Sequence, residues 1–306
     1  LGIIEMTNAL SLLIPDYVIT VGDRYETMCT TIASTYMNIP LGHTMGGEVT
    51  GTIDESIRHA TTKFAHLHFA ASKDAAERII KLGEKSETVF WTGCPRIDLV
   101  KETLEKEFNK NTFQDLVNSY GIGSKINFDE DFILVSHHPV TTEFGSNYKQ
   151  ISNIFDALTK IKMQSIILWP NSDAGSSEIA KFYRVFRENP DNKDRFHFVK
   201  NLPIDVYINL MNSTSCLVGN SSSGIREGAF IGTPVVNIGS RQNSRECGNN
   251  VINVKSNPED IFNAIKFQIK KGKYKMNNIY GDGKSGVKIA EILSKTEVDI
   301  QKIITY

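Results

Sequence analysis

The sequence predicts an α/β protein built as two Rossmann-like domains with parallel sheets and a cleft between them. Three observations carry that expectation. Short β-branched and aromatic runs alternate with helix-length amphipathic segments, the pattern of successive βαβ units. The alternation stops once, over the polar, charge-rich stretch 101–131, and then resumes. The chain has 306 residues, enough for two domains at about 100–200 residues each.

The elements follow in order. Residues 6–13 look like half a helix leading into a strand at 17–21, which Gly22-Asp23 ends. Residues 25–36 contain no Gly or Pro and read as a helix. A short strand at 39–43, a helix at 52–64, a strand at 67–71, a helix at 74–81 and a strand at 88–91 complete the first set, stopped by Gly93-Cys94-Pro95. Stretch 101–131, with Gly121-Ile122-Gly123-Ser124 inside it, reads as a helix followed by a linker. Strands are then expected at 132–136, 165–169, 197–199, 216–219 and 234–238, with helices between them and a closing helix at 286–304. The expected domains are 1–121, joined by the C-terminal helical segment 287–306, and 122–286. The first opens in mid-unit, as a domain truncated at its N-terminus would. Ligands of such sheets bind beyond the carboxyl ends of the strands.

Composition narrows the function. Lys plus Arg number 34 and Asp plus Glu 35, a formal net charge of −1. That balance argues against a dedicated nucleic-acid or membrane-surface protein, which carries a basic excess. No run approaches the ~20 apolar residues that cross a bilayer, and residues 1–5 lack the basic start and long apolar centre of a signal peptide. Cys29, Cys94, Cys216 and Cys247 form no CxxC pair, which suits a reduced, cytoplasmic protein. His66-x-His68 and His137-His138 have no Cys or carboxylate at ligand spacing, so they are expected to be structural or substrate-binding and no metal is expected.

Several residues stand where chemistry belongs. Asp23 lies just past a strand, either as the cap of the next helix or as a catalytic carboxylate, and Arg24 beside it suits a phosphate or carboxylate. The loop from His43 through Met45, Gly46, Gly47 and Glu48 to Gly51 lets a ligand approach backbone closely. Thr52 and Glu55 have the spacing of a capping box. Asp54 and Arg58, four apart, are either a helical ion pair or a carboxylate and a guanidinium facing the cleft. His137-His138-Pro139 ends a strand and should present at least one imidazole. The strongest signal is 216–227, where a strand enters Asn220-Ser221-Ser222-Ser223-Gly224 and then a helix. Free helix N–H groups and serine hydroxyls there make an anion site. Glu227 would sit one turn inside, within reach of a sugar hydroxyl, and Arg241 could add positive charge.

These residues together resemble one family. The segment from His43 to Ala60, with Gly22-Asp23-Arg24, His138-Pro139-Val140-Thr141, Gly219-Asn220-Ser221-Ser222, Gly239-Ser240-Arg241-Gln242 and Tyr280-Gly281-Asp282-Gly283, is similar to the hydrolysing UDP-N-acetylglucosamine 2-epimerases of sialic and legionaminic acid biosynthesis. The likeness runs in order from about Asp16 to about Leu293. It implies a GT-B-like architecture, a nucleotide held mainly by the second domain, and a last helix that returns to the first. It implies elimination of UDP after loss of the C2 proton, then hydration to N-acetylmannosamine, with no cofactor and no metal. It implies Asp23 and Asp54 as acid/base residues, and Ser221, Ser222, His138, Glu227 and Arg241 as nucleotide-sugar contacts, with Arg24, Arg58 and Asn171 further on the ligand side. A UDP-sugar is then the partner, with no nucleic acid or membrane, and the chain a homo-oligomer, dimer or tetramer.

Two departures qualify the likeness. Many members carry Glu where this chain has Met45, and a thioether cannot transfer a proton. Either Glu48 or water takes that role, or the substrate is a UDP- or GDP-linked 2,4-diacetamido-2,4,6-trideoxy sugar. The family's amino-terminal βα turn, which contributes on the phosphate side, is not in this sequence, and a chain truly lacking it is expected to be inactive. A GT-B glycosyltransferase and a non-catalytic nucleotide-sugar sensor are the competing readings.

Overall fold

A computed structural model describes residues 1–192 and 194–305. Contacts divide the chain into two compact units, Leu1–Asp98 with Asn278–Tyr306, and Leu99–Asn277.

The first unit runs α1 (Gly2–Leu13), β1 (Val18–Val21), α2 (Tyr25–Tyr36), β2 (Leu41–Thr44), α3 (Asp54–Phe64), β3 (Leu67–Ala70), α4 (Lys73–Lys81), β4 (Val89–Trp91) and the start of α5 (Pro95–Leu104). Its four strands pair in chain order and all in parallel. β2 and β3 are buried on both faces, as central parallel strands are when helices cover them. Local chemistry sets the helix ends. Ser72 caps α4 by accepting from Ala75 N–H, and Ala75 and Ile79 form its buried stripe.

The second unit adds α6 (Lys110–Ser119), β5 (Gly121–Gly123), β6 (Phe132–Ser136), α7 (Asn147–Ile161), β7 (Gln164–Leu168), α8 (Ser176–Glu188), β8 (Phe196–Val199), α9 (Ile204–Ser213), β9 (Cys216–Gly219), α10 (Ser222–Ile231), β10 (Val235–Ile238), β11 (Val251–Val254) and α11 (Pro258–Lys271). The chain then returns to the first unit with α12 (Ser285–Leu293), whose Ile289 packs with Leu67 and Phe69. The second sheet has the order β11-β10-β9-β6-β7-β8-β5. From β6 the chain builds outward through β7 and β8, then comes back to β9 and builds the other way. The junction of the paired strands β6 and β9 is therefore a topological switch point, where open α/β sheets leave a crevice beyond their carboxyl ends.

Four expectations change. The stretch read as a linker belongs to the second unit. Phe113 and Val117 of α6 are buried, Phe113 stacks edge-on with Phe128 and Phe128 with Phe132, and β5 pairs antiparallel with β8. The boundaries thus fall at 98/99 and 277/278 rather than 121/122 and 286/287, and the second sheet is parallel except at this edge. β11 was not foreseen, because Val251 to Val254 is four residues long and follows Gly248-Asn249-Asn250. The closing helix stops at Leu293. The rest of the tail docks on the first unit: Thr305 N–H donates to Gly83 O, His66 Nε2–H to Ile300 O, and Lys302 to Ala65 O and the buried Glu84. The capping box does not form. Glu55 accepts from Thr50 N–H, and Thr52 Oγ1 donates to Asp54 Oδ2 at 3.0 Å.

Candidate functional site

In the second unit the site grows from the switch point. Asn220, 1% exposed, follows β9 and ties it to the end of β6. Its Oδ1 accepts from His138 N–H at 2.7 Å, and its Nδ2 donates to His138 O at 2.8 Å. This closeness requires Gly219: its φ is +141°, and a Cβ there would meet Ser136 O at 2.1 Å.

Ser221 caps α10, accepting from Ser223 N–H, and its hydroxyl lies 2.8 Å from that of Ser223. Ser223 in turn lies 2.6 Å from the Tyr207 hydroxyl. Burial pushes that phenol up to about 12, so it stays a neutral hydroxyl. Ser222 opens α10 and accepts from Arg226 Nη2 at 3.0 Å. The first-turn amides of this ten-residue helix and the positive end of its dipole favour an anion at the turn. Glu227 lies buried on the same helix.

Cations and imidazoles border the turn. Arg241 donates to Asn220 O at 3.3 Å, and Gln242 to the same oxygen at 2.9 Å. Asn171 N–H donates to His138 Nδ1 at 3.2 Å, and Asn171 Nδ2 to Asp173. That bond places the His138 proton on Nε2, which makes Nε2–H a donor. Burial holds His138 down at about 3, with the charge of Arg241 acting the same way. Burial likewise holds His137 at about 3. Both are neutral at physiological pH. The loop after β6 is fastened to the loop after β10 by a bond from Ser240 Oγ to Glu143.

The first unit gathers a second group of residues around Arg58. This guanidinium is 1% exposed. Nε donates to Asp23 Oδ2 at 2.9 Å and Nη2 to the same oxygen, while Nη1 donates to Glu48 O at 2.7 Å and Nη2 to Thr50 Oγ1 at 3.1 Å. The pairing of Asp54 with Arg58 is replaced by this one, and Arg58, expected on the substrate, instead holds Asp23. Asp23 is not the cap of α2, whose N-cap residue is Arg24. A carboxylate fixed by a buried guanidinium favours its ionised form. Arg24 itself is exposed and pairs with Glu26 at 3.3 Å. Asp54 begins α3, and Glu48 is 5% exposed in the glycine loop. Gly47 holds that loop against α4: its φ is +73° and a Cβ would meet Ala75 O at 2.2 Å. His43 Nε2–H donates to Gly22 O at 2.8 Å, and burial lowers its pKa to about 4.

The structure thus brings His138, Asn171, Ser221, Ser222, Glu227 and Arg241 to the carboxyl end of one sheet, and Asp23, Glu48 and Arg58 to that of the other. Asn220 was legible only as part of a serine-rich turn. Tyr207 gave no local signal, being fourteen residues upstream of Ser221 on another helix.

Comparison with known proteins shows the family and the fold. A family model described as UDP-N-acetylglucosamine 2-epimerase matches residues 1–294. A Legionella pneumophila protein named UDP-N,N'-diacetylbacillosamine 2-epimerase (hydrolyzing) is 36% identical over 280 residues, 91% of this chain and 71% of that one. A Campylobacter jejuni GDP/UDP-N,N'-diacetylbacillosamine 2-epimerase (hydrolyzing) is 33% identical over 83% of this chain and 64% of its own length. A Neisseria meningitidis UDP-N-acetylglucosamine 2-epimerase is 28% identical over 92% of this chain and 72% of its own. Among solved structures, the N. meningitidis UDP-GlcNAc 2-epimerase bound to UDP-GlcNAc superposes with a TM-score of 0.80 at 21% identity, covering 96% of this chain and 80% of that one. That likeness shows the GT-B-like fold. By the extent of the family match and by its identity to these relatives, the chain belongs to the UDP-N-acetylglucosamine 2-epimerase family.

Proposed function

We propose that the protein is a hydrolysing 2-epimerase of a UDP-linked 2-acetamido sugar. The observation that carries the proposal is the serine turn that opens α10 at the switch point, with the Nε2–H donor of His138 and the charge of Arg241 beside it. The α10 amides, Ser221 and Ser222 hold the diphosphate, and Glu227 takes a ribose or sugar hydroxyl. Asp23, kept ionised by Arg58, is the base that removes the C2 proton, and Asp54 and Glu48 complete proton transfer. As the C2 proton leaves, the C1–O bond breaks and its electron pair departs with UDP. Water then adds across the C1–C2 double bond, its hydroxyl to C1 and a proton to C2 on the opposite face. The products are UDP and the free 2-epimer. Helix amides and cations stabilise the charge that develops on UDP.

The sugar was expected to be N-acetylglucosamine. The thioether of Met45, where many family members carry Glu, and the names of two relatives favour the 2,4-diacetamido-2,4,6-trideoxy alternative. Met45 has φ of 61°, and its sulfur lies 3.5 Å from Cys94 Sγ. A thioether there makes an apolar wall, which suits a 6-methyl and a 4-acetamido group better than free hydroxyls left without partners. The 36% and 33% identical relatives carry diacetylbacillosamine in their names.

Incubation of the protein with each UDP-sugar, followed by NMR, tests the reading. The expected products are UDP and a free 2-epimerised sugar, with kcat/KM more than tenfold higher for the diacetamido substrate and a smaller ratio in Met45→Glu. A 2-epimer still attached to UDP, or transfer to an acceptor, would exclude the hydrolysing reaction. Equal efficiency on both sugars in both proteins would remove Met45 as a specificity element.

A further inference from the structure

The edge of the second sheet holds a pocket of ≈ 410 Å³ that the proposed reaction does not use. It lies where β8 meets β5, with β7 standing between it and the switch point in the strand order. Its floor is aromatic: Phe198 is buried in β8, Trp169 is half-buried just past β7, and Tyr120 stands at the rim before β5. Three cations surround that floor, Arg184 and Arg187 one turn apart on α8 and Lys200 after β8. No Asp or Glu lines the pocket. None of the three cations forms an ion pair among the described residues. The Arg187 guanidinium lies 5.6 Å from the centre of the Phe198 ring, a stacking that leaves its edge donors for a ligand.

Three like charges around one concavity repel each other, and this chain, at net −1, has carboxylates enough to have neutralised them. Arg and Lys there suit phosphate, the aromatic floor suits a ring, and the volume is that of a small-molecule site. We propose that this pocket is a second ligand site, taking a phosphate ester carried on a ring, such as a nucleotide or a sugar phosphate. The inference stands on unit-two residues alone and does not rest on the proposed reaction.

Trp169 reports on the pocket directly. The chain has two tryptophans, so Trp91→Phe leaves Trp169 as the one tryptophan, which red-edge excitation selects over the tyrosines. Titration of that full-length protein with phenyl phosphate is expected to change Trp169 emission saturably. Arg184→Glu with Lys200→Glu should weaken binding at least tenfold, and the milder Arg184→Gln with Lys200→Gln should weaken it in the same direction. Both sites are exposed, and far-UV circular dichroism confirms folding. Ser222→Ala should leave the titration unmoved. Uridine monophosphate and glucose 1-phosphate, run as competitors, tell a nucleotide from a sugar phosphate. The assignment is overturned by an absence of saturable change, by unchanged affinity in the folded charge variants, by loss of the signal in Ser222→Ala, or by failure of both competitors.

Discussion

Asp23 and Arg58 behave as one device, because the guanidinium is buried and spends its donors on Asp23, Glu48 O and Thr50. Asp23→Asn should therefore lower kcat by ~10²–10⁴-fold, the range for general acid–base groups, while UDP affinity measured by calorimetry changes little. Arg58→Met takes the guanidinium away from a carboxylate whose side chain is 24% exposed, and should cost about 1–3 kcal/mol in stability along with activity. Wild-type turnover in folded Asp23→Asn would reduce that carboxylate to a structural role. In the other unit, Ser222→Ala and Arg241→Ala should each weaken UDP binding by about 1.5–3 kcal/mol, the worth of a hydrogen bond to a charged group. Unchanged affinity in both would make the turn a capped helix and nothing more. Residue types in the motifs announced most of these positions. The direction in which Arg58 points was not legible, since a guanidinium four residues after Asp54 has the same spacing whether it faces its own helix or another strand.

At the scale of elements, the switch point depends on Gly219, because the end of β9 must pass within backbone contact of Ser136. Gly219→Ala is expected to destabilise the protein by more than the few tenths of a kcal/mol of a neutral surface change, and to reduce UDP affinity in whatever folds. A melting temperature and UDP affinity both equal to wild type would show that the crevice tolerates a methyl group. Strands such as β1, β9 and β10 were legible because each is a short apolar run with Gly, Pro or Asp within two residues of its end. β5 was not: a Gly-Ile-Gly strand has almost no intrinsic β-propensity and exists because β8 offers it hydrogen bonds at the sheet edge.

For the molecule as a whole, acid sensitivity follows from three neutral histidines, His43 and His137 buried and His138 partly so. His43 titrates at about 4, and His137 and His138 at about 3, all lowered by burial. The unfolded chain takes up these protons near 6.5. Their contribution to stability is therefore complete above pH 6.5 and is lost as pH falls toward 4 and 3. Thermal melts should show a falling midpoint from pH 7.5 to pH 5, with a shallower slope in His137→Gln. A flat profile over that range would mean that these imidazoles are solvated. Glu84, lowered to about 2 by its bonds to His68, Lys302 and Lys63 against the opposing effect of its burial, adds a loss only at more acidic pH.

By itself the sequence determined the α/β class, most of the strands, the serine turn and the family, because hydrophobic period and local turn chemistry are written in neighbouring residues. Only the tertiary structure decided that Arg58 serves Asp23, that Tyr207 supports the Ser221–Ser223 turn, that residues 99–131 belong to the second unit, and that the tail after Leu293 lies along the first. Each of these joins residues far apart in the chain or depends on a hydrogen-bond partner supplied by another element. Such pairings are set by packing, and no local spacing records them.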